Sequence, residues 1–98
     1  PVVLNTIEQP VENSIGSAYP NPFNPVVNFD IDLDGSHYVD ARVYNIAGQE
    51  VAVLHDGLLS GSAQTLSWMA TNQSSGVYFI RIVVDGMTTV NNKVILLK

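Results

Sequence analysis

The chain contains no cysteine among its 98 residues, so neither disulfides nor thiolate metal sites can hold it together. Positive charge is almost as scarce. Arg42, Arg81, Lys93 and Lys98 stand against nine acidic residues, for a net charge of −5. Such a surface has no means of neutralising a run of phosphates, which argues against nucleic acid as a partner. No apolar run approaches the ~20 residues that a spanning helix needs, because Arg81 interrupts Val77 to Val84. The first residue is Pro1, with no methionine or basic leader before it, so the chain reads as a fragment from the C-terminal end of something longer.

Enough is present to build one domain. Apolar residues make up 46% of the chain and charged residues 13%, a globular balance rather than a disordered one. A chain of this size buries roughly 60–65% of its unfolded surface, which supports a modest core and leaves no room for a second one. Residues 1–16 differ from the rest: Pro1, Pro10, Gly16 and two glutamates break any period, as in a linker or the end of a preceding domain. Residues 17–98 are then the domain proper.

That domain opens on a stiff corner, Tyr19-Pro20-Asn21-Pro22-Phe23-Asn24-Pro25. Three prolines fix φ and remove three backbone donors, so the stretch is neither helix nor central strand, and each residue before a proline is pushed toward extended geometry. From Val26 the period is two. Val27, Phe29, Ile31 and Leu33 alternate with polar residues up to the turn dipeptide Asp34-Gly35, and Val39, Ala41 and Val43 do so up to a hairpin loop at Asn45 to Gly48. Further strands are expected at Glu50 to Leu54, closed by Asp56-Gly57, and at Ala63 to Trp68 with Leu66 and Trp68 on one face. Gly76 to Val84 reads as a central strand covered on both sides, and Thr88 to Leu97 follows the Asp85-Gly86 turn. With a short strand around Ile15 to Tyr19 the count is about seven. The fold class is all-β, an immunoglobulin-like antiparallel β-sandwich.

Catalytic chemistry is thin. His37 and His55 fall in expected loops without a serine, cysteine or carboxylate partner to make either a base, and Ser60, Ser62, Ser74 and Ser75 are turn residues by composition. No nucleophile elbow, zinc-protease, P-loop or dinucleotide fingerprint occurs. Asp30, Asp32 and Asp34 with Gly35 reproduce half of a calcium loop, but Ala41 stands where the closing bidentate glutamate belongs, and alternation alone puts the three carboxylates on one solvated face. They are a weak calcium candidate; no cofactor is expected. Trp68 and Tyr78 have architectural explanations, the tyrosine as a corner residue bonding backbone, and Gly76 serves a positive φ or a close backbone approach.

Four segments in order, the proline corner, Val43 to Val51, Ser75-Gly76-Val77-Tyr78-Phe79 and Lys93 to Lys98, resemble the C-terminal sorting domain, type A, of the type IX (Por) secretion system, which shades into the immunoglobulin-like module of the flagellar hook-capping protein. The resemblance implies a non-catalytic domain that directs an upstream cargo protein across the outer membrane. Its partners would be the secretion translocon and a sortase-like peptidase that removes the domain. Its location would be the periplasm in transit, then the cell surface or the extracellular space. The family's elements fall on Pro20, Asn21 and Pro22, on Gly76 and Tyr78, and on Lys93, Val94, Ile95, Leu96, Leu97 and Lys98, with Asn92-Lys93 where many members carry two adjacent basic residues. Val94 and Leu96 are expected in the core and the last strand at an exposed edge, open to strand addition. The competing reading is an accessory module of a secreted enzyme that binds carbohydrate or a neighbouring domain.

Overall fold

The computed structural model describes residues 14–61 and 63–98. The segment 1–13, most of the stretch expected as a linker, and Ser62, expected in a turn from its sequence, lie outside the described residues. Seven strands run β1 (Ser14–Ile15), β2 (Val26–Asp32), β3 (Ser36–Asn45), β4 (Glu50–Ser60), β5 (Gln64–Met69), β6 (Gly76–Val84) and β7 (Thr88–Leu96). Two antiparallel sheets, ordered β1-β2-β5 and β4-β3-β6-β7, pack face to face. This is the expected immunoglobulin-like sandwich, with strand crossovers between sheets at β2–β3, β4–β5 and β5–β6.

Period-two alternation delivers the core. Val27, Phe29 and Ile31 of β2, Val39, Ala41 and Val43 of β3, Ile80 and Ile82 of β6, and Val94 and Leu96 of β7 are all fully buried. Leu33 is buried as well, although β2 ends one residue earlier at Asp32. β6 is central in pairing, between β3 and β7, yet only one of its faces is covered: Phe79 and Arg81 are exposed on the other. Its apolar run reflects β-branched packing on the inner face, not burial of both.

The hairpins use side-chain and backbone chemistry legible from their turns. Asn45 Oδ1 accepts the Ala47 and Gln49 amides at 2.9 and 3.0 Å, and Gly48 takes φ 82° to close the β3–β4 loop. Asp85 and Gly86 both have positive φ, 54° and 69°, while Met87 N–H donates to the Val84 carbonyl at 3.0 Å, the left-handed pair that hairpin twist favours.

The limits of β1, β3 and β4 depart from expectation. Among the described residues β1 forms a ladder at Ser14 and Ile15, inside the stretch read as linker, and Tyr19 joins β2 through an isolated bridge to Asn28. β4 does not stop at Leu54. It runs through Asp56-Gly57 to Ser60, because Gly57 pairs with Val39 and the Asp56 carboxylate is held by Arg42 and Tyr38 on β3. Cross-strand partners override the local turn preference of an Asp-Gly pair. His37 and His55, expected in loops, consequently lie on β3 and β4.

Truncating the centre of this core tests the architecture. Phe29→Ala is expected to lower stability by about 3–5 kcal/mol in urea unfolding followed by Trp68 fluorescence. A loss below about 1 kcal/mol means that Phe29 is not a core residue.

Candidate functional site

The proline corner and the last strand form one unit. From Gly16 to Tyr19 the chain follows the edge of β2, with Gly16 N–H donating to Asp30 O at 2.9 Å and Tyr19 and Asn28 exchanging backbone bonds at 2.7 Å. At Pro20 it leaves that sheet and crosses to the other. All three X-Pro bonds of the corner are cis. The Asn21 side chain then works as a peptide unit would: Nδ2 donates to Lys93 O at 2.9 Å and Oδ1 accepts from Ile95 N–H at 3.0 Å. Phe23 continues the pairing with its own backbone, donating to Ile95 O at 2.8 Å and accepting from Leu97 N–H at 3.0 Å in a parallel bridge.

The Lys93 carbonyl, both backbone groups of Ile95 and the Leu97 amide on the outer side of the chain are therefore occupied. Over this C-terminal stretch the expectation of an open edge is corrected, while β7 remains the edge strand of its sheet. The prolines cannot donate to a ladder, but the asparagine between two of them can, and sequence periodicity carries no trace of a side chain standing in for backbone. The expected division of side chains does hold: Val94 and Leu96 point into the core, Lys93 and Leu97 are exposed and Ile95 is half-buried.

An aromatic stack ties the same corner to both sheets. Phe23 lies 5.6 Å from Trp68 of β5, and Trp68 meets Tyr78 of β6 edge to face at 5.2 Å. Tyr78, 5% exposed, donates its hydroxyl to Ser74 O at 2.7 Å, which is the expected tyrosine corner. Gly76 has φ 156°, and a methyl group there would meet no atom within 4 Å, so its role is conformational and not one of close approach. Lys98 closes the arrangement: its amide donates to Ser75 Oγ and its ammonium to Thr71 O, each at 2.9 Å.

The calcium half-motif is not assembled. Asp30 Oδ1 accepts from the Tyr19 hydroxyl at 2.9 Å and from Thr65 Oγ1 at 2.8 Å, whereas Asp34 turns to His37, and among the described residues no group of three or more acidic, histidine or cysteine side chains is placed to hold a metal ion.

His37 is a feature that sequence reasoning missed. Its Nδ1 lies 2.5 Å from Asp85 and its Nε2 2.6 Å from Asp34, bridging the β2–β3 crossover and the β6–β7 turn. Only the chain fold brings Asp85 beside His37. Hydrogen bonds to Asp85 and then Asp34 raise the imidazole pKa above its ordinary 6.5, and His37 followed by the Tyr38 amide holds Asp85 below its ordinary 3.8.

The fold is an all-β sandwich whose final strand is held along its C-terminal part by a proline corner. The family model described as "Secretion system C-terminal sorting domain" matches residues 17–97. The chain belongs to this family, the sorting domains of the type IX system. No curated protein sequence matches it.

Two measurements check the site. Asn21→Ala strands the Ile95 amide and Lys93 carbonyl and is expected to cost about 1–2 kcal/mol, with faster hydrogen exchange at Ile95; unchanged exchange there contradicts the clasp. The His37 bridge gives a signed pH dependence. A raised histidine pKa contributes stability that is complete below 6.5 and lost as pH rises through the folded value; a lowered Asp85 pKa contributes stability present above 3.8 and lost as pH falls through its own folded value. Stability is expected to be greatest between these limits, and His37→Gln to flatten the alkaline side in thermal melts. An identical alkaline slope in the variant counts against the bridge.

Proposed function

We propose that residues 17–98 are a folded secretion signal that carries an upstream cargo through the type IX translocon of the outer membrane, with residues 1–16 as the connection to that cargo. The domain performs no catalysis. It passes through the periplasm, is read by the translocon, and is removed by a sortase-like peptidase as the cargo reaches the surface or the medium. The family membership supports the sorting role. The observation that carries the site is the lock on β7: with its edge groups engaged by Asn21 and Phe23, the terminal segment offers a reader side chains in fixed positions and not free backbone.

Asn21, placed between Pro20 and Pro22, holds that segment from outside, Tyr78 ties down the chain before Gly76 through Ser74, and Val94 and Leu96 anchor the segment in the core. Lys93, Ile95, Leu97 and Lys98 are the residues left for recognition. A leucine 55% exposed beside a terminal lysine is an apolar and cationic pair suited to a complementary groove.

Deleting Lys93 to Lys98 from a cargo fusion is expected to trap it in the periplasm, since passage across the inner membrane depends on a separate N-terminal signal. That deletion also removes two fully buried side chains. The sharper variant is Leu97→Ser with Lys98→Ser, expected to keep the circular dichroism spectrum and to cut surface delivery about tenfold or more, a loss of about 1.4 kcal/mol of recognition. Asp30→Asn with Asp32→Asn leaves delivery intact. Normal delivery of the deletion in a host possessing the translocon refutes the sorting function.

A further inference from the structure

Charge on the outer face of the four-stranded sheet is sorted by strand. Arg42 of β3 sits in register with Arg81 of β6, Arg81 with Asn91 of β7, and Phe79 with Lys93. Three of the four cations in a chain of net charge −5 thus project from one face. Arg42 is paired through each of its three side-chain nitrogens: Nε bonds Asp40 at 2.6 Å, Nη1 bonds Glu50 at 3.0 Å and Nη2 bonds Asp56 at 3.0 Å. Those three acids all lie on β3 and β4. β6 and β7 contain no acid at all, and neither Arg81 nor Lys93 forms an ion pair among the described residues. The face is therefore neutral or acidic on its β3–β4 half and doubly positive on its β6–β7 half.

This sorting opposes stability. Like charges directly opposite on a ladder repel, yet Arg42 and Arg81 are register partners, and the carboxylates that relieve Arg42 leave Arg81 bare. Arg81 also forms one wall of a hollow of about 290 Å³ whose other walls are Asp40, Arg42, Tyr44, Glu50 and Val83. Beside it, Phe79 is exposed on the same face. Arg81 and Lys93 are diagonal neighbours across the β6–β7 ladder, about 7–8 Å apart at the backbone. Alternate side chains of an extended strand recur about every 6.6–6.8 Å.

We propose that the Arg81–Phe79–Lys93 half of this face docks an extended acidic segment of a partner protein, with carboxylates at alternate positions pairing with Arg81 and Lys93 and an apolar contact on Phe79. The proposal deepens the sorting reading and rests on it for the partner's identity: the segment belongs to the machinery that reads the domain. Unpaired guanidinium and ammonium groups on a flat face supply orientation and association rate, and the binding weakens as salt rises.

The probe is a short synthetic peptide with glutamates at alternate positions, added to the isotope-labelled 98-residue chain at low salt. Expected are amide shifts confined to Phe79, Arg81, Asn91 and Lys93. Affinity should fall about tenfold when the glutamates are made adjacent, and about tenfold or more in Arg81→Gln with Lys93→Gln, a change of charge that leaves the core untouched. Shifts elsewhere, no binding at millimolar peptide, or tighter binding of a sulfated glycan without such spacing dependence overturn the proposal. In cells, Arg81→Glu with Lys93→Glu is expected to reduce delivery of a cargo fusion about tenfold while retaining the native amide spectrum. Delivery of that variant at the wild-type level refutes the docking face and leaves sorting intact, whereas failure of the wild-type domain to deliver its cargo refutes the sorting reading itself.

Discussion

A β-sandwich that ends on an edge strand must do something with the backbone groups that strand presents. Here the answer is the switch at Pro20. One continuous segment, Ser14 to Phe23, covers the edge of β2 in the first sheet and then the edge of β7 in the second. Proline is the right residue for the crossing because its missing donor has no ladder to join and its fixed φ holds the change of direction. Asparagine is the right residue between the prolines because its amide reproduces a peptide's donor and acceptor at the point where the backbone has just lost one.

The same segment makes the sheets interdependent. Phe23 touches β7 with its backbone and Trp68 of β5 with its ring, and Trp68 passes the contact to Tyr78 of β6. Tyr78 pins the chain upstream of Gly76 through Ser74, and the neighbouring Ser75 and Thr71 accept the Lys98 amide and ammonium. The terminal segment is thus fixed from three directions: by β6 through the ladder, by the corner through Asn21 and Phe23, and by the β5–β6 connection through Ser75 and Thr71. Loss of any one of them loosens the others, since adjacent members of a hydrogen-bonded and packed network are not additive.

Most of the architecture was legible because it rests on period two, which a sequence displays directly. Val27, Phe29 and Ile31, or Val94 and Leu96, announce their face by spacing alone. What escaped was chemistry between residues far apart in the chain. Asp56-Gly57 looks like a turn until Arg42 and Tyr38 are placed across from it, His37 looks solitary until the β6–β7 turn brings Asp85 to its Nδ1, and the last strand looks open until Asn21 is found 72 positions from the carbonyl it caps. The resemblance pointed to Pro20 to Pro22 and to Lys93 to Lys98 as separate elements. Their hydrogen bonds join them into one.

A sealed edge changes what kind of recognition the domain can support. Strand addition needs free N–H and C=O groups along several residues, and from the Lys93 carbonyl to the Leu97 amide four outward groups already have partners. Displacing Asn21 and Phe23 would also expose Trp68, so invasion of that edge carries the cost of opening the core. On the proposed reading the partner meets the side chains that the lock holds in place, and a rigid constellation loses less conformational entropy on binding than a loose tail does. On the proposed reading, folding and signalling are the same property: the sorting domain presents these side chains in register only when its corner, its aromatic stack and its final strand have closed on one another, so the signal itself reports that the β-domain has folded.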